Sequence, residues 1–137
     1  MNDPALLAAV SAEVVELHAV FEDWFCGNGP GELDRVEAVL APNFTMVPPS
    51  GLLVQRSELL TNLSKARGLQ QIKIEIDHLV VIWQSENAVL AGYDEVQHHA
   101  AFTTHRRSTA LLSRMDVAPN GLMWRHVHET WIDPPPD

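Results

Sequence analysis

From Ile72 onward the apolar residues stop recurring every three or four positions and begin to alternate. Ile72, Ile74, Ile76, His78, Val80 and Ile82 interleave with Lys73, Glu75, Asp77, Leu79, Val81 and Trp83. A repeat of two sustained over that length is a long β-strand. Gln84-Ser85-Glu86-Asn87 then reads as a turn, and Ala88 to about His98 as a second strand. A third strand runs from about His105 to Val117. Ala118-Pro119-Asn120-Gly121 has the proline and glycine of a tight turn. Leu122 to Ile132 is the last strand, and Pro134-Pro135-Pro136 cannot continue a ladder.

The first seventy residues carry a different period. Asp3 followed by Pro4 is a helix start, an acceptor side chain before a proline at the first helical position. Leu7, Val10, Val14, Leu17, Phe21 and Phe25 form one apolar stripe, which ends at Cys26-Gly27-Asn28-Gly29-Pro30-Gly31. A short second helix carries Leu33, Val36 and Leu40 and stops before Pro42. Phe44–Val47 and Leu52–Gln55 flank Pro48-Pro49-Ser50-Gly51 as a hairpin. Ser57 can cap a third helix with Leu59, Leu60 and Leu63 inward, closed by Gly68. Helices come first and strands last, so the expected class is α+β: three N-terminal helices on one face of a strongly curved antiparallel sheet. The 137 residues fit a single domain over 1–133 with a proline-rich tail at 134–137.

Charge and motif content narrow the function classes. Eighteen Asp and Glu against nine Lys and Arg give a net charge of −9, which argues against a nucleic-acid partner. A single cysteine, Cys26, excludes an internal disulfide and a cysteine-based zinc site. No signal peptide or membrane span is expected, because Glu13 and Glu16 interrupt the first apolar stretch, so the default location is the cytoplasm. Gly27-x-Gly29-x-Gly31 follows no strand and precedes no lysine, so it is not a phosphate loop, and no cofactor is expected. His126-x-His128 puts two imidazoles on one sheet face, but hydrogen-bonded interface residues explain them better than a metal.

Pairing the last two strands about 118–121 puts Leu112, Ala110 and Ser108 on one face with Arg125, Val127, Glu129 and Trp131. His126 and His128 fall on the other. A slip of one residue would exchange the two sets. The element order, Gly51 after a short first strand, and the terminal Trp124-Arg125-His126-Val127-His128-Glu129-Thr130-Trp131-Ile132 resemble the nuclear-transport-factor-2-like superfamily. The similarity is closest to its small polyketide-cyclase-like (SnoaL-like) and association-domain-like members. The resemblance implies a cone-shaped fold and a pocket lined at Val127, Glu129 and Trp131, with Asp94 as the matching middle-strand position. It also implies homodimers packed sheet against sheet. It points to no one activity, since the fold hosts isomerases, cyclases, dehydratases, epoxide hydrolases and non-catalytic modules. Ketosteroid-isomerase chemistry is not implied, because its three key positions fall at Pro48, at Val20 or Phe21, and near Ala110. The arginines of the kinase-association relatives match Asp94, Ala110 and Trp131, so an anion held by them is not implied either.

The site expected from these readings is an apolar cone with Asp94 and Glu129 as catalytic carboxylates. Burial would raise their pKa, and the bland alternative is pairing with Arg125, Arg114 or Arg106. The expected lining is Phe21, Trp24, Phe44, Met46, Leu60, Ser108, Ala110, Leu112, Arg125, Val127 and Trp131. The aliphatic run Ile72, Ile74, Ile76, Val80 and Ile82 would lie on the convex face and require a partner, most simply a second copy. Two functions follow. One is a small-molecule-binding protein or cofactor-independent enzyme of isomerase, lyase or hydrolase type, taking a neutral or cationic ligand. The other is a non-catalytic homodimerisation module with a vestigial pocket.

Overall fold

The computed structural model describes residues 3–137. Helix α1 spans Pro4–Cys26, with the Asp3 carboxylate accepting from the amides of Ala5 and Leu6. It stops at Gly27, whose φ of 77° supplies the left-handed turn that ends the helix. At 23 residues α1 is long and apolar enough to cross a membrane; here its stripe lies on the sheet. That stripe begins at Leu6, not Leu7, which is 39% exposed, and it includes two polar residues, Glu13 and His18.

Helix α2 is one turn, Asp34–Glu37. Leu40 is not part of it but opens strand β1, Leu40–Val47, which pairs with β2, Val54–Gln55. Helix α3, Arg56–Ala66, is capped by Gln55 in a reciprocal arrangement with Glu58, not by Ser57. Strands β3 (Ile72–Gln84), β4 (Ala88–His99), β5 (Thr103–Arg114) and β6 (Leu122–Asp133) complete one sheet in the order β2-β1-β6-β5-β4-β3. All neighbours are antiparallel except β1 and β6. The four-strand meander, the helices ahead of it and the α+β class agree with the alternation in the sequence. Residues 134–137 are exposed and outside any element.

Two β-bulges decide which side chains face the helices. In β3, Asp77 pairs with Asp94 and Val80 with Gly92, so β3 holds one residue more than β4 across this stretch. The extra residue is His78, whose φ of 52° is the left-handed region that a branched or long side chain adopts only under constraint. Before it Ile72, Ile74 and Ile76 point to the concave face; after it Leu79 and Val81 do. The expectation that Ile72, Ile74 and Ile76 are convex is therefore corrected. Trp83 also changes face, because a second irregularity pairs it with Leu90. In β6, Leu111 pairs with His126 and Leu112 with Trp124, leaving Arg125 as an extra residue. Trp124 thereby turns inward and Arg125 outward. Thr109 and Leu111 share the convex face with His126 and His128, as expected.

Glu13 holds α1 in place. Its side chain has no solvent exposure and accepts four hydrogen bonds. Arg35 of α2 donates from both terminal nitrogens (2.8 and 3.4 Å), Asn120 donates at 3.1 Å and the Trp124 indole at 2.8 Å. Replacing Glu13 with alanine strands the indole N–H and leaves Arg35 with only the more distant Glu16. Breaking a buried charge pair costs about 3–5 kcal/mol, and the partial exposure of Arg35 sets the lower end of that range. Urea unfolding of Glu13→Ala should therefore show a loss of about 3 kcal/mol with an unchanged m-value.

Candidate functional site

A cavity of about 160 Å³ lies between the helices and the concave face of the sheet. Its helix-side wall is Leu17, His18, Phe21 and Phe25 from α1 with Leu59 and Leu63 from α3. Leu40, Phe44 and Met46 of β1 close one flank, and Ile74 of β3 closes the other. The floor is polar: Tyr93, Glu95 and Gln97 of β4, Arg106 of β5 and Glu129 of β6, with Trp124 and Val127 beside them. Phe25, Met46, Leu59, Ile74, Gln97 and Arg106 are half-buried and mark the mouth.

Two polar groupings occupy the floor. In the first, His18 Nε2 lies 3.2 Å from Glu95 Oε1. His18 Nδ1 lies 2.7 Å from the Val14 carbonyl, which fixes the proton on that nitrogen and turns Nε2 toward the acid. Gln97 Nε2 donates to Glu95 Oε2 at 2.5 Å. Burial opposes charge on both His18 and Glu95, but their mutual attraction and hydrogen bond outweigh it. The imidazole is held above its usual 6.5, and the Glu95 carboxyl is brought down to about 2. They form an ion pair.

In the second grouping, Glu129 is 8% exposed. It meets Arg106 Nη1 at 3.5 Å and Ser108 Oγ at 3.4 Å, both long for hydrogen bonds. Burial, and next the negative charge of Glu95, raise its pKa above the ordinary 4.5; Arg106 and His18 offset this only in part. Tyr93, buried beside the two acids, is held well above its usual pKa and stays neutral. The Arg106 guanidinium packs on the Trp131 ring at 4.7 Å, and its Nε is buried without a partner. Two carboxyls in one cavity are thus driven in opposite directions, one toward charge and one toward its proton.

The expected residues divide accordingly. Phe21, Phe44, Met46, Val127 and Glu129 line the cavity. Ser108 is buried beneath it as a partner of Glu129, and Ala110 and Leu112 are sealed in the core without reaching it. Trp131 stacks on Arg106 outside the lining. Leu60 gives way to its neighbours Leu59 and Leu63. Trp24 turns aside: its indole donates to the Leu63 carbonyl at 2.7 Å and its ring lies under Arg67 at 5.0 Å, joining α1 to α3. Arg125, extruded by the β6 bulge, donates to Ser113 and Asn43 on the outer side.

Asp94 is the largest correction. It points to the convex face, where Arg107 Nε (3.0 Å), His105 Nε2 (3.0 Å) and His78 Nδ1 (3.2 Å) enclose its carboxylate. Arg107 above all holds its pKa below the usual carboxylate value, despite burial. Its neighbour Glu95 takes the position in the cone. His18, Glu95, Gln97 and Arg106 were missed as site residues. His18 could have been found, since it lies on the α1 stripe one position after Leu17 and three before Phe21.

The His18–Glu95 pair should leave a pH signature. Glu95, with its pKa depressed, stabilises the fold above about pH 4.5 and loses this as pH falls toward 2. His18, with its pKa raised, contributes fully below 6.5 and loses this as pH rises through its folded value. The stability difference between the protein and His18→Gln should therefore peak between about pH 4.5 and 6.5 and shrink on both sides. Chemical denaturation across pH 3–9 measures it, and a flat difference curve would refute the pair.

Residues 10–133 match the family model described as sucrose-6-phosphate phosphohydrolase C-terminal. Among curated proteins, the chain is 27% identical over 128 residues to sucrose-phosphatase 2 of Nicotiana tabacum. It is 28% identical over 127 residues to sucrose-phosphatase 1 of the same plant. Each match covers 88% of this chain but 30% of the relative, so the chain spans about a third of their length. Among solved structures, an NTF2-like protein of unknown function from Pseudomonas aeruginosa is 30% identical, with a TM-score of 0.83 over 90% of this chain and 98% of that one. The CaMKII hub of S. rosetta is 17% identical with a TM-score of 0.73, covering 96% and 98% of the two chains, a likeness of fold alone. These structures bear out the cone-shaped superfamily without singling out its polyketide-cyclase-like branch. The chain belongs to the sucrose-6-phosphate phosphohydrolase C-terminal family, a member of the NTF2-like superfamily.

Proposed function

We propose that this chain binds a small molecule in its cone, with Glu129 as the group that holds or moves a proton, and that it works as a homodimer. The observation that carries the ligand reading is the floor of the cavity. Four groups capable of charge, His18, Glu95, Arg106 and Glu129, face a space whose other walls are apolar and aromatic. An apolar wall with a few convergent polar groups of shifted pKa is the usual make-up of a ligand site. Its size limits the ligand. About 160 Å³ is close to the roughly 150 Å³ that takes up a benzene ring and well under the roughly 300–1,000 Å³ of drug-sized sites. A disaccharide phosphate would not be enclosed by a cavity of this size, and the activity named for the longer relatives is not part of this reading. Asp94, on the outer face, has no part in it.

The chemistry open to such a site is proton transfer without a cofactor. Glu129, biased toward its acid form, can donate to a ligand oxygen and take the proton back, while Glu95 remains charged against His18. Ligand-observed NMR with a library of fragments of about ten non-hydrogen atoms tests the binding step. Several should bind the protein and lose binding in Met46→Trp, which narrows the mouth. A library without one binder at millimolar concentration would remove the ligand reading.

The dimer rests on a different surface. Val80, Ile82 and Trp83 are each more than half exposed (52, 55 and 56%) on the convex face, and Leu111 is beside them at 36%. Gly92 keeps this patch continuous, since a Cβ there would lie 3.1 Å from the tip of Ile82. A contiguous apolar area on a sheet face fits an isologous partner, the same face of a second copy. One structural neighbour is described as the association domain of the C. elegans CaMKII. Light scattering should give twice the chain mass for the protein and the monomer mass for Ile82→Asp, with the helical content of both unchanged. A monomeric parent protein at micromolar concentration would end the dimer reading.

A further inference from the structure

One charge in the cavity is only loosely paired. His18 and Glu95 cancel each other at 3.2 Å. Arg106 meets Glu129 only at the 3.5 Å limit, and its Nε has no acceptor although it is buried. The ring of Trp131 orients the guanidinium but supplies no lone pair. His99, the other basic group near Arg106, is pushed toward its neutral form by burial and by the arginine itself. The shift of Glu129 toward its acid form weakens the carboxylate that meets Arg106. A guanidinium paired this loosely can take a bound oxyanion on its cavity side.

Resting on the ligand reading of the cone, the geometry points to a small monocarboxylate with an apolar body as the class of molecule bound. Its carboxylate sits on Arg106 beside Glu129, and its body lies against Phe21, Phe25 and Phe44. The size of the cavity admits one ring or a short chain. A phosphate dianion would exceed the available positive charge, and a cation would meet Arg106. The neutral or cationic ligand expected from the sequence rested on Asp94, Glu129 and Trp131 together; Asp94 lies outside the cone and the Trp131 ring is taken up by Arg106.

Glu129 makes the binding depend on pH. The groups facing it are Arg106 and Ser108 from β5, Glu95 and Tyr93 from β4, and His18 from α1. In its acid form Glu129 donates a hydrogen bond to the second carboxylate oxygen of the ligand. Once ionised it repels the ligand, so affinity falls as pH rises through its folded value.

Isothermal titration of the full chain with four probes of one shape tests the class: benzoate, benzamide, benzyl alcohol and benzylamine. At pH 6 benzoate should bind at least tenfold more tightly than benzamide or benzyl alcohol, and benzylamine most weakly. Arg106→Gln should weaken benzoate at least tenfold and change benzamide less than twofold. Glu129→Gln should keep benzoate binding and abolish its decline as pH rises. Benzamide, benzyl alcohol or benzylamine binding as tightly as benzoate overturns the carboxylate class but leaves the cone as a ligand site. Failure of all four also overturns the class, and the fragment library then decides the cone separately.

Discussion

A carboxylate on the inner face of α1 organises the closed end of the molecule. Glu13 is tied to α2 through Arg35, to the β5–β6 turn through Asn120 and to the sheet through the Trp124 indole. A helix pinned there has little freedom to rotate. The residues one to three turns further on, His18, Phe21 and then Phe25, must then fall over the concave face. The position of the imidazole against Glu95 is thus set by contacts at the other end of the cavity. The charge pair in the site and the charge cluster that anchors the helix lie along one stripe of α1.

That stripe explains how much of the fold was legible. The switch from a helical to a twofold period near residue 70 is a property of apolar spacing, and it survives to the final architecture. The faces expected for Ser108, Ala110, Val127 and Glu129 also held, because the bulge at Arg125 offsets a β5–β6 turn that begins after Arg114 and not after Val117. The errors of face along β3 and β6 share one cause. Inserting a single residue, His78 in β3 or Arg125 in β6, exchanges the faces on one side of it. Nothing marks either position locally. His78 adopts a left-handed backbone where glycine would have announced a bulge, and Arg125 lies in an uninterrupted strand pattern.

Asp94 and Glu95 show the same limit at the level of a single residue. Both are acids, both are buried, and each is held charged by basic partners. Composition cannot tell which one faces the helices, and the choice fixes the charge of the cavity. With Asp94 inside, the floor would favour a cation. With Glu95 inside and matched by His18, the cation left loosely paired is Arg106. The sequence carried the residue types of the site, but the cross-strand pairing of β4 with β3 and β5 selected among them.

The buried charges also bear on whether the cone is a ligand site or a relic. An ion pair taken out of water forfeits hydration that its mutual attraction barely restores, and apolar residues of the same volume often give an equal or more stable core. A module needed only for association would gain by filling the cone with apolar side chains, as Ala110 and Leu112 fill the space beneath the floor. Instead, His18, Glu95 and Glu129 border an open space. Arg106 completes that border, with a buried N–H left unpaired. Stability alone gives no reason for that arrangement, and the proposed ligand on Arg106 would supply one.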